Sequence, residues 1–313
     1  VLKVPVGMTV GEVIERVRRH GEEAETVYYV YIVAAGDTLV GVISLRDLIL
    51  CAPTTPVAEV MTEDVKTIGP NADQEEVAST IKHYDLIALP VVDDNHHLIG
   101  IVTVDDVVDV LEEEATEDIH KIGAVQPLDA SYFGTSFWTF VRKRAPWVVA
   151  LFVGGIATAE ALTWYENEMK QVVLLVAFLP LIISSGGNSG SQSATIIIRA
   201  LAVREVDLSH AWRVLRREVG IGLVLGLMLA VIGAIFAALW SEPEQFVAIA
   251  ATVALTLIAV VTIGTLLGSM LPILLERVGL DPAVSSTPFI ASLVDLFGVV
   301  TYLSLARVIF GLS

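Results

Sequence analysis

The sequence has 313 residues, 54% of them apolar and 18% charged, with a mean hydropathy of +0.71. A soluble domain of this length carries about 25% charged residues, so the composition excludes an ordinary cytosolic enzyme and a disordered chain. The net charge of −17 repels phosphate backbones and excludes a nucleic-acid binder. The charge is also unevenly placed. Residues 1–144 hold 25 acids and 11 bases, whereas residues 145–313 hold 11 acids and 8 bases. An acidic soluble region therefore precedes a nearly uncharged, greasy one. The lone Cys51 excludes a disulfide framework and a Cys-based zinc site. Val1-Leu2-Lys3 opens no apolar signal segment. Without an initiator Met, the chain is expected to begin inside a longer gene product.

The soluble half carries an internal repeat. Val30–Val33 and Leu39–Leu48 recur 59 residues later as Leu89–Val92 and Leu98–Val107. Each copy reads as a short apolar strand, a polar turn, a second strand and a helix start. A helix-like stretch precedes each, Val10–Arg19 and Gln74–His83. Two such α/β units in tandem bury their sheets against one another. The Gly-x-x-Ser/Thr-x-x-Asp pattern at the strand ends resembles the paired cystathionine-β-synthase (CBS) module. In that family the Ser/Thr and Asp of the pattern often hold nucleotide phosphate and ribose. The matching positions are Ser44 with Asp47 and Thr103 with Asp106. A Ser or Thr before a helix is equally an ordinary N-cap.

The densest charge follows. Asp105, Asp106, Asp109, Glu112, Glu113, Glu114, Glu117 and Asp118 occur without an intervening base. On a helix, Val104, Val107, Val108, Leu111 and Ala115 form an apolar stripe beside an acidic face. Like charges at i,i+4 destabilise a helix. Hard divalent cations take oxygen ligands, and magnesium commonly keeps its waters and uses one or two carboxylates. The run reads either as a cation sensor or as a plain solvated face.

Five apolar stretches come next: Ala145–Thr163, Val172–Ile198, Val219–Trp240, Phe246–Leu275 and Phe289–Leu312. Each has about the 20 residues that span a bilayer as a helix. Arg142, Lys143 and Arg144 precede the first, and Arg199, Arg204, Arg213, Arg216 and Arg217 lie between the second and third. The other loops are acidic or carry only Lys170. By the positive-inside rule, the N-terminus and soluble half face the cytoplasm and the C-terminus lies outside, in a multi-pass protein of the cell inner (plasma) membrane.

Two features break the apolar pattern. Pro180 and the run from Ser184 to Thr195, with Gly186, Gly187 and Gly190, interrupt the second span. Carbonyls freed there must be packed in protein or line a wet cavity. A small-residue packing seam is the other reading. The second feature is Asp295 in the fifth span. A carboxylate at a membrane centre costs roughly 2.5–3.5 kcal/mol on insertion scales and is usually functional. Helical spacing puts Ala291, Asp295, Gly298 and Val299 on one face, leaving room for a hydrated ion. Arg307 is about 18 Å further along the helix and is not its partner within the span.

With these residues in view, the whole chain resembles the MgtE family of magnesium channels/transporters. The marks are Ser185–Thr195 followed by Ile198-Arg199-Ala200-Leu201, then Asp281-Pro282-Ala283, Val294–Gly298, and the linker Glu114–Val125. The resemblance implies a multi-domain chain: a cytosolic α/β tandem CBS pair followed by an all-α five-helix transmembrane domain. Its parts are the CBS pair at 1–111 (about 1–52 and 53–111), an acidic linker or plug helix at 112–144 and a pore domain at 145–313. It implies a homodimer with its pore between two five-helix bundles and Asp295 as the pore aspartate. Gly186, Gly187, Asn188 and Ala291 are the expected pore lining. Regulatory Mg2+ is expected at Asp73, Glu75, Asp85, Asp106, Asp109, Glu114, Glu117 and Asp118, closing the linker over the pore. In some members the CBS pair binds ATP, and Tyr29, Arg46 and Asp47 match that site. Leu86 stands where an adenine-stacking aromatic is expected. Thr287 and Ser191 stand where the best-known pattern has Asn, and both keep a side-chain oxygen. The family's N-terminal helical domain is not in this sequence, so part of the magnesium clamp is expected to be lost.

The expected function is a magnesium-selective channel or transporter gated closed by cytosolic Mg2+. The alternatives are a broader divalent-cation transporter, for example for cobalt, and a membrane-tethered adenine-nucleotide sensor that moves no ion. The spans hold no Cys, His or Met cluster of the kind transition metals favour. An enzyme is not expected, because the six His residues are scattered and no nucleophile pairs with a base.

Overall fold

The computed structural model describes residues 1–128 and 130–311. It divides into two compact units, Val1–Ala115 and Thr116–Ser313. The first unit opens with β1 (Lys3–Pro5), α1 (Val10–His20), β2 (Tyr29–Val33), β3 (Leu39–Ser44) and α2 (Leu45–Leu50). It continues with α3 (Gln74–His83), β4 (Ala88–Val92) and β5 (Leu98–Thr103), and α4 (Val104–Ile122) then leads onward. The repeat seen in the sequence is structural. β2 pairs antiparallel with β3 and β4 with β5, and the register shifts at Ile32/Val33 recur 59 positions on at Val91/Val92. β1, outside the repeat pattern, adds in parallel to β2, and Ile68 bridges in parallel to Val91 as its counterpart.

Alternation on β3 (Leu39, Val40, Gly41, Val42, Ile43) buries every second residue, as a half-buried strand requires. The two halves meet through Tyr31, Val33, Leu39, Val92 and Leu98. Each half keeps its own core, one around Val4, Val10, Ile32 and Leu48 and the other around Ala78, Ile81, Leu89 and Val107. α3 has the expected bounds because Asp73 caps it, accepting from the Glu75 N–H at 2.9 Å, which satisfies one of the four orphan donors of a helix start.

The second unit holds α5 (Phe137–Trp164), α6 (Glu166–Gln171), α7 (Leu174–Ala202), α8 (Ala211–Trp240), α9 (Phe246–Arg277) and α10 (Thr287–Phe310). Five helices are long and apolar enough to cross a membrane, and they match the five expected spans. Most extend past the expected ends; Leu312, the expected last residue of the fifth, lies outside the described residues. The acidic linker differs from a single helix over 112–144. α4 ends at Ile122, irregular chain follows, and Arg142, Lys143 and Arg144 already belong to α5.

The largest departure concerns the second span. Its Gly-Ser run was expected to free carbonyls, yet α7 is one continuous 29-residue helix through Pro180 and all three glycines. The glycines serve close approach. A Cβ on Gly264 would stand 2.5 Å from the Gly186 carbonyl oxygen, and one on Gly268 only 2.1 Å from that of Gly190. α7 and α9 therefore meet backbone to backbone, the small-residue packing that replaces hydrophobic association in lipid.

Candidate functional site

The site is built where α7 crosses α10. Four contacts define the seam. The Ser191 hydroxyl donates to the Thr287 carbonyl at 3.3 Å. A Cβ on Gly190 would meet Ile290 at 2.9 Å, and one on Gly186 would meet Val294 at 2.7 Å. Between them, a Cβ on Gly187 would stand 3.5 Å from Asp295 Oδ1 and 3.6 Å from Ala291 Cβ. As the numbers of α7 rise those of α10 fall, so the two helices run antiparallel. Asp295 is half-buried, and among the described residues it makes no hydrogen bond or ion pair. An intramembrane carboxylate left without a protein partner, beside a glycine and an alanine, has room for water and a cation on its open side.

The other expected lining residues divide. Gly187 and Ala291 flank Asp295. Asn188 is exposed, and its amide donates to Ser184 Oγ at 3.3 Å. Gly186 is buried against Val260 and Val294. Arg307 pairs instead with the buried Glu168 of α6, at 3.7 Å, so it does not neutralise Asp295.

The expected sensing carboxylates are spread along the chain. Asp73 caps α3, Glu75 follows it, and the Gln74 amide bonds Glu114 of α4. Asp106 accepts from Thr103 Oγ1 at 3.0 Å, and Asp109 is exposed one turn on. Asp85 sits just after α3 with φ +52. Glu117 pairs with Lys121, and Asp118 adjoins it. Among the described residues no three carboxylate, His or Cys side chains converge into a metal group. At the first CBS motif Tyr29 registers with Ser44 across the β2–β3 pair, and Ser44 bonds Asp47 Oδ2 at 2.6 Å. Tyr29, Arg46 and Asp47 thus surround one strand end, and the Thr103–Asp106 bond repeats the geometry in the second copy.

Two features escaped the sequence reading. Lys121 reaches Asp281 at 2.6 Å as well as Glu117, and Thr287 Oγ1 donates to the Ile122 carbonyl at 3.2 Å. The end of α4 is thereby fastened to the chain that starts α10. Partial burial opposes the charge on Lys121, but its bonds to Asp281 and Glu117 outweigh burial and hold its pKa above the usual lysine range. The second feature is Glu218, only 8% exposed in α8, accepting from Ser193 Oγ at 2.8 Å.

Comparison with known proteins places this geometry. The MgtE divalent cation transporter family matches residues 179–305, and the CBS domain matches 1–52 and 57–113. The magnesium transporter MgtE of Thermus thermophilus is 45% identical over 97% of this chain and 66% of its own length. That of Enterococcus faecalis is 36% identical over the same shares. The chain thus spans just under two thirds of the length of these curated relatives. A solved cytosolic domain of the Mg2+ channel MgtE in complex with ATP is 51% identical over 35% of this chain and 44% of that one, with a TM-score of 0.35. The relatives matched over nearly all of this chain are transporters and not enzymes, and with five helices of spanning length the protein is a membrane protein. From these matches and the order of its parts, the chain belongs to the MgtE family.

Proposed function

We propose that the chain conducts Mg2+ across the membrane past Asp295, as a homodimer whose two copies of that carboxylate share one pore. The observation that carries this reading is the unpaired Asp295 beside Gly187 and Ala291, in a chain with 45% identity to a magnesium transporter. Magnesium sheds its waters reluctantly and is held by one or two carboxylates with several waters kept. Two aspartates on a two-fold axis supply that number. Gly187 and Ala291 keep side-chain bulk away from the hydrated ion.

Gating is part of the same proposal. The acidic residues Asp73, Glu75, Asp85, Asp106, Asp109, Glu114, Glu117 and Asp118 repel at low cytosolic Mg2+. Bound Mg2+ replaces that repulsion with bridging and closes the pore through α4. ATP is assigned to Tyr29, Arg46 and Asp47, in keeping with the ATP complex of the similar cytosolic domain. The arginines in the first turns of α5, at the end of α7 and in the first turns of α8 support a cytoplasmic CBS pair and an outer C-terminus.

The test is Mg2+ flux into liposomes carrying the purified chain. Asp295→Ala is expected to fold and dimerise normally and to lose uptake. Flux equal to the parent chain would refute Asp295 as the ion site.

A further inference from the structure

A groove of about 720 Å³ lies between the start of α8 and the last three turns of α9. Its wall is apolar, chiefly Leu208, Leu267, Met270, Leu271 and Leu274, and Arg277 stands at its rim. The size is that of a small-molecule site, roughly 300–1,000 Å³.

Depth follows from helix length. α9 has 32 residues, about 48 Å at 1.5 Å per residue, against a hydrocarbon core of about 30 Å. The helix is long enough to pass the core at both ends, and Glu276 and Arg277 in its last turn set that end at the headgroup level. α8 starts at the same end, because a short loop joins its far end to α9. Trp212 is 68% exposed there, and tryptophans concentrate at that level. The apolar wall faces acyl chains and the rim faces headgroups.

The rim is positive. Arg277 is exposed and among the described residues makes no ion pair. Of the acids nearby, Asp207 accepts from the Ser209 N–H at 2.7 Å and pairs with His210, Glu205 is exposed, and Glu276 has one carboxylate oxygen buried without a hydrogen-bond partner. Arg213, Arg216 and Arg217 add further positive charge along the start of α8.

We propose that this groove holds one anionic phospholipid, its acyl chain along Leu267, Leu271 and Leu274 and its phosphate on Arg277. Basic pockets between spanning helices are a recurrent way to bind acidic headgroups. The proposal is independent of which ion the protein moves.

The experiment is native mass spectrometry of the purified chain in detergent. Bound lipid is counted during titration with phosphatidylglycerol, with phosphatidylcholine, and with phosphatidylglycerol against millimolar inorganic phosphate. One phosphatidylglycerol is expected to stay bound with a roughly fivefold preference over phosphatidylcholine, the effect of one cation near a surface charge. Arg277→Gln should erase the preference and Arg277→Lys should keep most of it. Arg277 is exposed at a helix end, so neither change threatens folding. Equal retention of the two lipids would overturn the proposal. So would a preference that survives Arg277→Gln, since the arginines of α8 would then suffice. Displacement by inorganic phosphate would show a free-phosphate site and overturn the lipid assignment.

Discussion

Replacing Lys121 with Met removes one ammonium and leaves the helix and its stem packing in place. Two carboxylates lose their partner, Glu117 on α4 and Asp281 before α10. The side chains are 26% (Lys121), 37% (Glu117) and 36% (Asp281) exposed, so each pair is screened by solvent and contributes no more than about 1 kcal/mol. The Glu117 pair lies within α4 and persists in both forms, so the Asp281 pair alone fastens the end of α4, by up to about 1 kcal/mol, a factor of roughly 5 between fastened and released forms. Hydrogen–deuterium exchange reads that factor directly. Gly123 and Val125 donate to Ile119 and His120 at the end of α4, and Ala283 donates to Asp281 Oδ1. Exchange at these amides is expected to rise by roughly the same factor in Lys121→Met. Lys121→Arg should restore most of the protection. The sign with pH is fixed by the raised lysine value. The contribution is complete below the unfolded lysine value, about 10.4, and is lost only as pH rises through the higher folded one. Protection in the parent chain should therefore show no change from pH 7 to 9 arising from Lys121. Unchanged exchange in Lys121→Met would refute the fastening.

The remaining predictions concern the pore and the helix seam. Asp295→Asn keeps an oxygen acceptor and loses the charge, so liposome flux should fall about tenfold or more while folding, followed by thermal melting, is unaffected. Gly187→Leu places a branched side chain against Asp295 and Ala291, and on the proposed function liposome flux should be blocked in a protein that keeps the helical content of the parent chain by circular dichroism. Gly268→Ala forces a methyl to 2.1 Å from the Gly190 carbonyl. It should cost about 1–3 kcal/mol and lower the melting temperature by several degrees; an unchanged melt would show that the two helices separate freely.

The sequence carried local facts well and distant ones poorly. The repeat was legible because Val30–Val33 and Leu89–Val92 alternate with their turns at one spacing, and even the register shift recurs with it. Gln74–His83 was legible as the helix-like stretch that precedes the second repeat copy, and the structure adds Asp73 as its cap. For α7 the packing-seam reading holds and the freed-carbonyl reading, which rests on a glycine run looking weak taken alone, does not. Its purpose lies in Gly264 and Gly268, more than 70 residues away, which need a bare backbone to pack against. Glu218 was missed by one position. The third span was expected to start at Val219, after Arg213, Arg216 and Arg217, whereas α8 runs back to Ala211 and buries Glu218 against Ser193. Lys121 and Asp281 are 160 residues apart, and nothing in either local pattern pairs them. Asp295 stood out in the sequence because it is a charge in an apolar span, but its neighbour Gly187 was one of several glycines until the crossing of α7 and α10 singled it out.

The backbone seam between α7 and α9 has a consequence for how an ion is recognised. In filters that strip a cation of its water, backbone carbonyls take the place of the hydration shell. Here the carbonyl oxygens of Gly186 and Gly190 are covered by Gly264 and Gly268, and α7 stays helical through Ser184–Thr195, so the carbonyls beside Asp295 belong to its own ladder. On the proposed function, a cation beside Asp295 would meet carboxylate and water and, on the α7 side, no carbonyl cage. Discrimination at this point would then read the diameter and charge of the hydrated ion and not its bare radius. Cations that exchange water readily gain no advantage from doing so, and an inert complex of hydrated-magnesium size and charge should compete for the same place.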